Sequence, residues 1–106
     1  MTAIGNVTAR QAFSFGTGKT WSAVAPITTA EQTTTVRGLK TGDVLHVSKP
    51  TAQAGLGVVG SRVSTDDTLA IVFTNPTAAT ITPTAKEMWL AVVEKAIQPV
   101  QSDATI

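Results

Sequence analysis

The sequence predicts an all-β fold, a small antiparallel β-sandwich or Greek-key barrel with an extended N-terminal arm. Three observations carry this. Residues 33–94 alternate short runs rich in Val, Ile, Leu and Thr with breaks containing Gly, Asp or Pro (TTTVRGLKTGDVLHVSKP, GLGVVGSRVSTDDTLAIVFTNP, EMWLAVV), the pattern of strands joined by turns. Thr, which suits the half-exposed face of a strand, occurs 19 times. A chain of 106 residues fits one domain, and a domain of that size buries roughly 65% of its unfolded surface, enough for one modest core.

Taken in order, residues 1–30 differ from the rest. Their apolar residues are scattered, yet Phe13, Phe15 and Trp21 are three of only five aromatics in the chain, too many for a freely solvated tail. This segment is expected to be an arm, with a short strand near 20–25, lying on the domain or on a neighbour. The alternative is one or two ordinary strands of the same sandwich. The domain proper is then 31–96, followed by a polar tail at 97–106. Its first strand spans Glu31–Arg37 and ends at Gly38. Leu39 to Asp43 form a tight connection in which Gly42 supplies the positive φ such turns need. Val44–Ser48 alternates, with Leu45 and Val47 on one face, and Pro50 stops it. Leu56–Ser64 is the next strand, Ser64 to Asp67 a turn, and Thr68–Thr74 a strongly alternating strand with Leu69, Ile71 and Phe73 on one face.

Asn75-Pro76 ends that strand, and a Thr/Ala/Pro stretch follows with a short edge strand near Thr80–Thr82. Glu87–Glu94 is the last strand. Trp89, Ala91 and Val93 lie on one side and Met88, Leu90 and Val92 on the other. Both faces are apolar, which predicts a strand that is central or covered on two sides. A helix over 85–97 is the competing reading, but Met88, Val92 and Lys95 give no clean stripe and the Val pair favours a strand.

Composition narrows the function classes. Net charge is +1 and the eight basic residues are dispersed, so no electrostatic case exists for nucleic acid. No apolar segment approaches the about 18 residues needed to span a bilayer, and no membrane partner is expected. The absence of Cys excludes disulfides and thiolate chemistry. Charged residues are 14% of the chain against about 25% in an average domain, and a surface of Thr, Ser and Ala loses little hydration on docking. This points to an assembled state.

No motif assembles a catalytic site, and the expectation is a protein that is not an enzyme and carries no cofactor or metal. Gly16-Thr17-Gly18-Lys19-Thr20 imitates the end of a phosphate-binding loop, but the first Gly of that motif would fall at Phe13, and WSAVAP supplies no following helix. His46 is the sole histidine and has no nucleophile or ligand set around it; at an oligomer axis it could confer pH sensitivity. Asp66-Asp67 is turn chemistry, since calcium would need six to eight oxygens. Asn6-Val7-Thr8 matches a glycosylation acceptor, with no signal segment ahead of it to bring it to the modifying enzymes. Large side chains in the first thirty residues make good interface anchors, the alternative for Phe13, Phe15 and Trp21 being that they cover one open end of their own sandwich. Phe13, Phe15, Trp21 and Ile27 are therefore the candidate contact residues.

Gly38-Leu39 before Gly42-Asp43, the Val-x-Val-like strand after it, Pro50, Gly55-Leu56, Val63-Ser64 and Phe73-x-Asn75 together resemble small structural modules of tailed bacteriophages. These occur as capsid decoration (cement) proteins and as pieces of head or tail fibres. The resemblance covers about sixty residues, concerns turns and strand faces, and carries over no catalytic residue. It implies a virion component, made in the bacterial cytoplasm, that docks on the outside of the phage head as a dimer or trimer. Its partners would be the major capsid protein and itself, its action a clamp across subunit junctions with the arm reaching onto the lattice. A fibre module binding host-surface glycans is the alternative, with Trp21 and Trp89 as the available aromatic platforms.

Overall fold

Two three-stranded antiparallel sheets face each other in the computed structural model, which describes residues 8–96. Strands β1 (Thr8–Phe15), β6 (Trp89–Ala96) and β3 (Val44–Ser48) form one sheet in the order β1-β6-β3; β2 (Thr28–Thr35), β5 (Thr68–Asn75) and β4 (Gly57–Thr65) form the other in the order β2-β5-β4. No helix occurs among the described residues. The all-β expectation and the strand reading of Glu87–Glu94 therefore hold. The chain crosses between sheets at every connection except β4–β5, a hairpin around Asp66-Asp67 in which Asp67 takes φ 63°.

The alternation that predicted the strands also builds the core. Trp89, Ala91 and Val93 of β6 face Leu69, Ile71 and Phe73 of β5, joined by Phe15, Trp21, Val24, Leu39, Leu45 and Val63. The aromatics form one connected cluster: Trp21 stands edge-on to Phe73 at 5.4 Å, Phe73 edge-on to Trp89 at 6.0 Å, and Phe15 lies 5.7 Å from Trp89. Each large apolar side chain so buried stabilises by about 1.5–3 kcal/mol, and each aromatic pair adds roughly 0.5–1.5 kcal/mol. The indole N–H groups of Trp21 and Trp89 have no hydrogen-bond partner, a desolvation cost set against that packing.

Turns are fixed by side chains rather than by length. The Asp67 carboxylate accepts from the Gly38 N–H at 2.8 Å, Asp66 accepts from Thr41 N–H at 3.3 Å, and Asp43 accepts from Lys40 N–H at 2.9 Å and from the Lys95 ammonium at 2.6 Å. The two adjacent aspartates make the turn expected of them and, beyond that expectation, clamp the 38–42 turn. Asn75, fully buried, ties two loops together. Its amide donates to the carbonyls of Val24 at 3.1 Å, Ala25 at 3.2 Å and Ala79 at 2.8 Å, while its oxygen accepts from the N–H and hydroxyl of Thr77. The short strands expected near 20–25 and 80–82 reduce to one bridge between Val24 and Ile81.

Two expectations are corrected. The boundary at residue 30 is not where the structure places it: residues 8–15 pair along their whole length with the central strand β6, and β2 begins at Thr28. The described part of the N-terminal segment follows the alternative reading, an ordinary strand of the same sandwich, because Phe13 and Phe15, two apart, turn to the same face as Trp89, Ala91 and Val93. Residues 1–7, with Asn6, and residues 97–106 lie outside the described residues. The first predicted strand, Glu31–Arg37, starts three residues and ends two residues earlier than expected, at Thr28–Thr35. Val36 leaves the ladder there to bond the Asp67 carbonyl at 3.0 Å. Strand β6 is central, as expected of a strand apolar on both faces, and among the described residues only one of its faces is covered.

Candidate docking surface

Strand β6 carries apolar residues on both faces, and none of the described residues lies over the outer set. Leu90 is 57% exposed, Met88 53% and Val44, on neighbouring β3, 52%, with Val92 half-buried between them. Register places small or uncharged neighbours on either side: Ala12 and His46 flank Val92, and Ser14 and Ser48 flank Leu90. The result is a ridge along β6 between two low rows, with a shallow groove of about 600 Å³ beside it.

Two ion pairs flank this sheet, one near each end of the strands. Arg10 lies 3.3 Å from Glu94, which His46 approaches to 3.8 Å. At the other end the Lys49 ammonium donates to Glu87 at 3.0 Å, both side chains being nearly buried, and the Thr51 hydroxyl also donates to Glu87. Burial pushes the Glu87 carboxyl up, but the Thr51 and Lys49 hydrogen bonds outweigh it and hold the group below its ordinary value. A partner covering this face would meet these two ion pairs rather than lone carboxylates, which limits the desolvation set against apolar burial.

The opposite sheet shows the contrast. Across its outer face Arg62 of β4 makes a two-pronged bond to Glu31 of β2, at 2.8 and 2.9 Å, spanning β5. That hydrogen bond first, and the guanidinium charge after it, lower the Glu31 carboxyl. Beneath the pair Ala70 is completely buried although it points away from the core. One sheet roofs its outer face with an ion pair, and the other leaves its outer face bare.

Of the four residues singled out from the sequence, three come together in the core rather than on a surface, Phe13 lying 6.0 Å from Phe15 and both Phe15 and Trp21 packing on Trp89, while Ile27 stands apart. Trp21 is 2% exposed and Phe15 is buried, both inside the aromatic cluster, so neither can anchor a partner. Phe13 is half-buried against the rim of the core. Ile27 alone is exposed, at 77%, and stands in the left-handed region with φ 48°, a conformation a β-branched residue adopts only under strain. It sits in the loop before β2, on the other sheet. The correction has one cause: aromatics in a short domain fill the core before they serve a surface.

Sequence reasoning did not single out Met88 and Leu90 as exposed apolar residues, although the double apolar pattern of MWLAVV was their signal. The Gly16–Thr20 stretch is a structural turn, its Lys19 donating to the Thr33 carbonyl at 2.9 Å and lying 5.2 Å over the Trp21 ring. Among the described residues no group of three or more His, Asp or Glu is placed to hold a metal ion. Comparison with protein-family models, curated proteins and solved structures found no match to this chain.

Proposed function

We propose that this protein is a structural binding module, a capsid decoration protein that docks as a homo-oligomer on the outside of a phage head and braces the shell. One observation carries the reading: the bare outer face of the β1-β6-β3 sheet, where Met88, Leu90 and Val44 are each more than half exposed, flanked by the Arg10–Glu94 and Lys49–Glu87 ion pairs. A contiguous apolar sheet face with a polar rim is what protein–protein interfaces are made of. The resemblance of the turns and strand faces to phage virion modules supplies the shell as partner. The bracing is passive, the docked module adding contact area across subunit junctions without reacting groups.

The aromatic core weighs against the glycan-binding alternative. A sugar platform requires an exposed ring, and both Trp21 and Trp89 are buried.

The test is co-sedimentation with undecorated shells, comparing the native protein with Leu90→Asp and with Met88→Asp. Each variant places a lone carboxylate on the bare face and touches no core residue. Occupancy should fall about tenfold or more, as expected for a desolvated unpaired charge, with the thermal midpoint unchanged. Full occupancy by both variants would refute this face as the docking surface.

A further inference from the structure

A sandwich of two three-stranded sheets has four edges, and three of these are blocked. Strand β3 has five residues, stops before Pro50 and packs beside β4. Strand β4 carries two register shifts, one at Val58/Gly60 and one at Val63/Thr65. Strand β2 is covered by the 19–22 segment: Lys19 takes the Thr33 carbonyl, and the Ser22 N–H and C=O both pair with the Gln32 side chain at 2.7 Å. Short length, bulges and covering segments are the standard means of preventing edge-to-edge pairing.

Among the described residues strand β1 has none of them. It runs for eight residues, Thr8–Phe15, in unbroken register with β6, contains no Pro or Gly, and has no described backbone partner on its outer side. A second observation falls at the same place. The mouth of the sandwich beside this edge is a cleft of about 540 Å³ lined by Gln11, Phe13, Val36, Leu39, Val93 and Lys95. An added strand would set alternate side chains into that cleft.

We propose that β1 pairs antiparallel with the β1 of a second copy about a two-fold axis, joining two β1-β6-β3 sheets into one six-stranded sheet. The sequence of the strand favours a copy of itself. Arg10, third of the eight residues, is the only charge in the strand, so antiparallel pairing offsets the two arginines along the ribbon, by two residues with Gln11 on the axis and by four with Ala12 there, and the second register keeps the like charges apart. Keeping the cleft sides together requires residues of like facing to oppose each other, which places Gln11 or Ala12 on the axis. At either register Phe13 enters the partner's half of the joined mouth. This names how the oligomer of the preceding reading is built. It also sets two bare Met88–Leu90 faces side by side, so that both contact one surface and their affinities multiply.

Sedimentation velocity over a range of concentrations tests the pairing without shells. The native protein should dimerise, and Gln11→Lys and Ala12→Lys, at two exposed positions, should each weaken the dimer by about tenfold or more while leaving monomer melting unchanged. Because the chain has no cysteine, Gln11→Cys or Ala12→Cys should form an intermolecular disulfide on mild oxidation, and Thr33→Cys on the β2 edge should not. A native protein that stays monomeric or forms trimers, Lys variants that dimerise with unchanged Kd, or equal cross-linking through Thr33→Cys would each overturn the proposal. Shell binding by a monomeric protein would remove the edge pairing and leave the docking face standing; a β1-paired dimer that ignores shells would do the reverse.

Discussion

Asn75 offers the sharpest test of how the loops are held. Replacing it with Ala removes a donor from each of the Val24, Ala25 and Ala79 carbonyls and the acceptor of the Thr77 N–H. Val24 keeps the Ile81 N–H at 3.1 Å, Ala79 keeps the Thr77 hydroxyl at 3.0 Å and Ala25 is exposed to water, so the half-buried Thr77 N–H is the group left unpaired. The lost hydrogen bonds, at about 0.5–1.5 kcal/mol each, and that N–H together cost roughly 2–4 kcal/mol. In a domain of this size that lowers the thermal midpoint by on the order of 10–20 °C. Asn75→Asp keeps the shape but points a carboxylate at three carbonyls. It should be less stable than Asn75→Ala at pH 7. The Asp carboxyl would be raised above its unfolded value near 3.9, so the penalty is absent below that value and grows as pH climbs through the raised folded one. Urea unfolding followed by the fluorescence of Trp21 and Trp89, both in the core, reads these differences at an unchanged m-value. A loss below about 1 kcal/mol in Asn75→Ala, or an Asp variant as stable as the Ala variant at pH 7, would refute the role assigned to this amide.

Other outcomes follow from the same structure. Gly55 stands at φ 80°, and a Cβ there would lie 2.6 Å from Thr77 Cγ2 and 2.9 Å from Ile81 Cδ1; Gly55→Ala should cost about 2–4 kcal/mol, combining backbone strain and overpacking. Gly38, at φ 98° with nothing within 4 Å, should lose only about 1–2 kcal/mol on the same change, and equal losses in denaturant titrations would contradict the packing claimed around Gly55. Relief of the left-handed strain at Ile27 should make Ile27→Gly more stable by roughly 0.5–1 kcal/mol, and a lower midpoint in calorimetry would mean that the exposed side chain packs after all. The Glu31 carboxyl is lowered by its bonds to Arg62; at Asp43 burial acts to raise the pKa, and the bonds from Lys95 and Lys40 more than offset it, as those to Glu87 do. Carboxyls lowered in the fold contribute stability above their unfolded values, 3.8 for Asp and 4.5 for Glu, and lose it as pH falls through the folded ones. The melting temperature should therefore drop steadily below about pH 4.5, and a flat profile down to pH 3 would refute these pairings.

Which parts of the fold were legible depends on where apolar alternation was strong. Leu69, Ile71 and Phe73 fixed β5 to within a residue, and Leu45 and Val47 fixed β3 at its observed bounds. Strand β2, TTAEQTTT, has a single apolar residue. Its inner face is closed by the Trp21 segment and the Gln32–Ser22 bonds, which no periodicity announces, so its register slid toward Val36. Strand β1 had its signal in Phe13-x-Phe15, but only the pairing with β6 distinguishes two inward aromatics from an arm with two anchors. The bare face was half legible. MWLAVV shows that both sides of β6 are apolar, yet whether a second layer covers Leu90 depends on where every other element goes, and Ala70 on the opposite sheet, roofed by Arg62 and Glu31, shows how differently that can resolve.

Footprinting of Met88 tests the central claim most directly. Peroxide oxidises exposed methionine thioethers, and Met88 stands on the bare face. Peptide mass spectrometry of the free and shell-bound protein should show Met88 oxidising readily when free and protected about tenfold or more when bound. Oxidation at the same rate in both states would show that the outer face of the β1-β6-β3 sheet stays open to solvent on the shell, and the docking reading would fail.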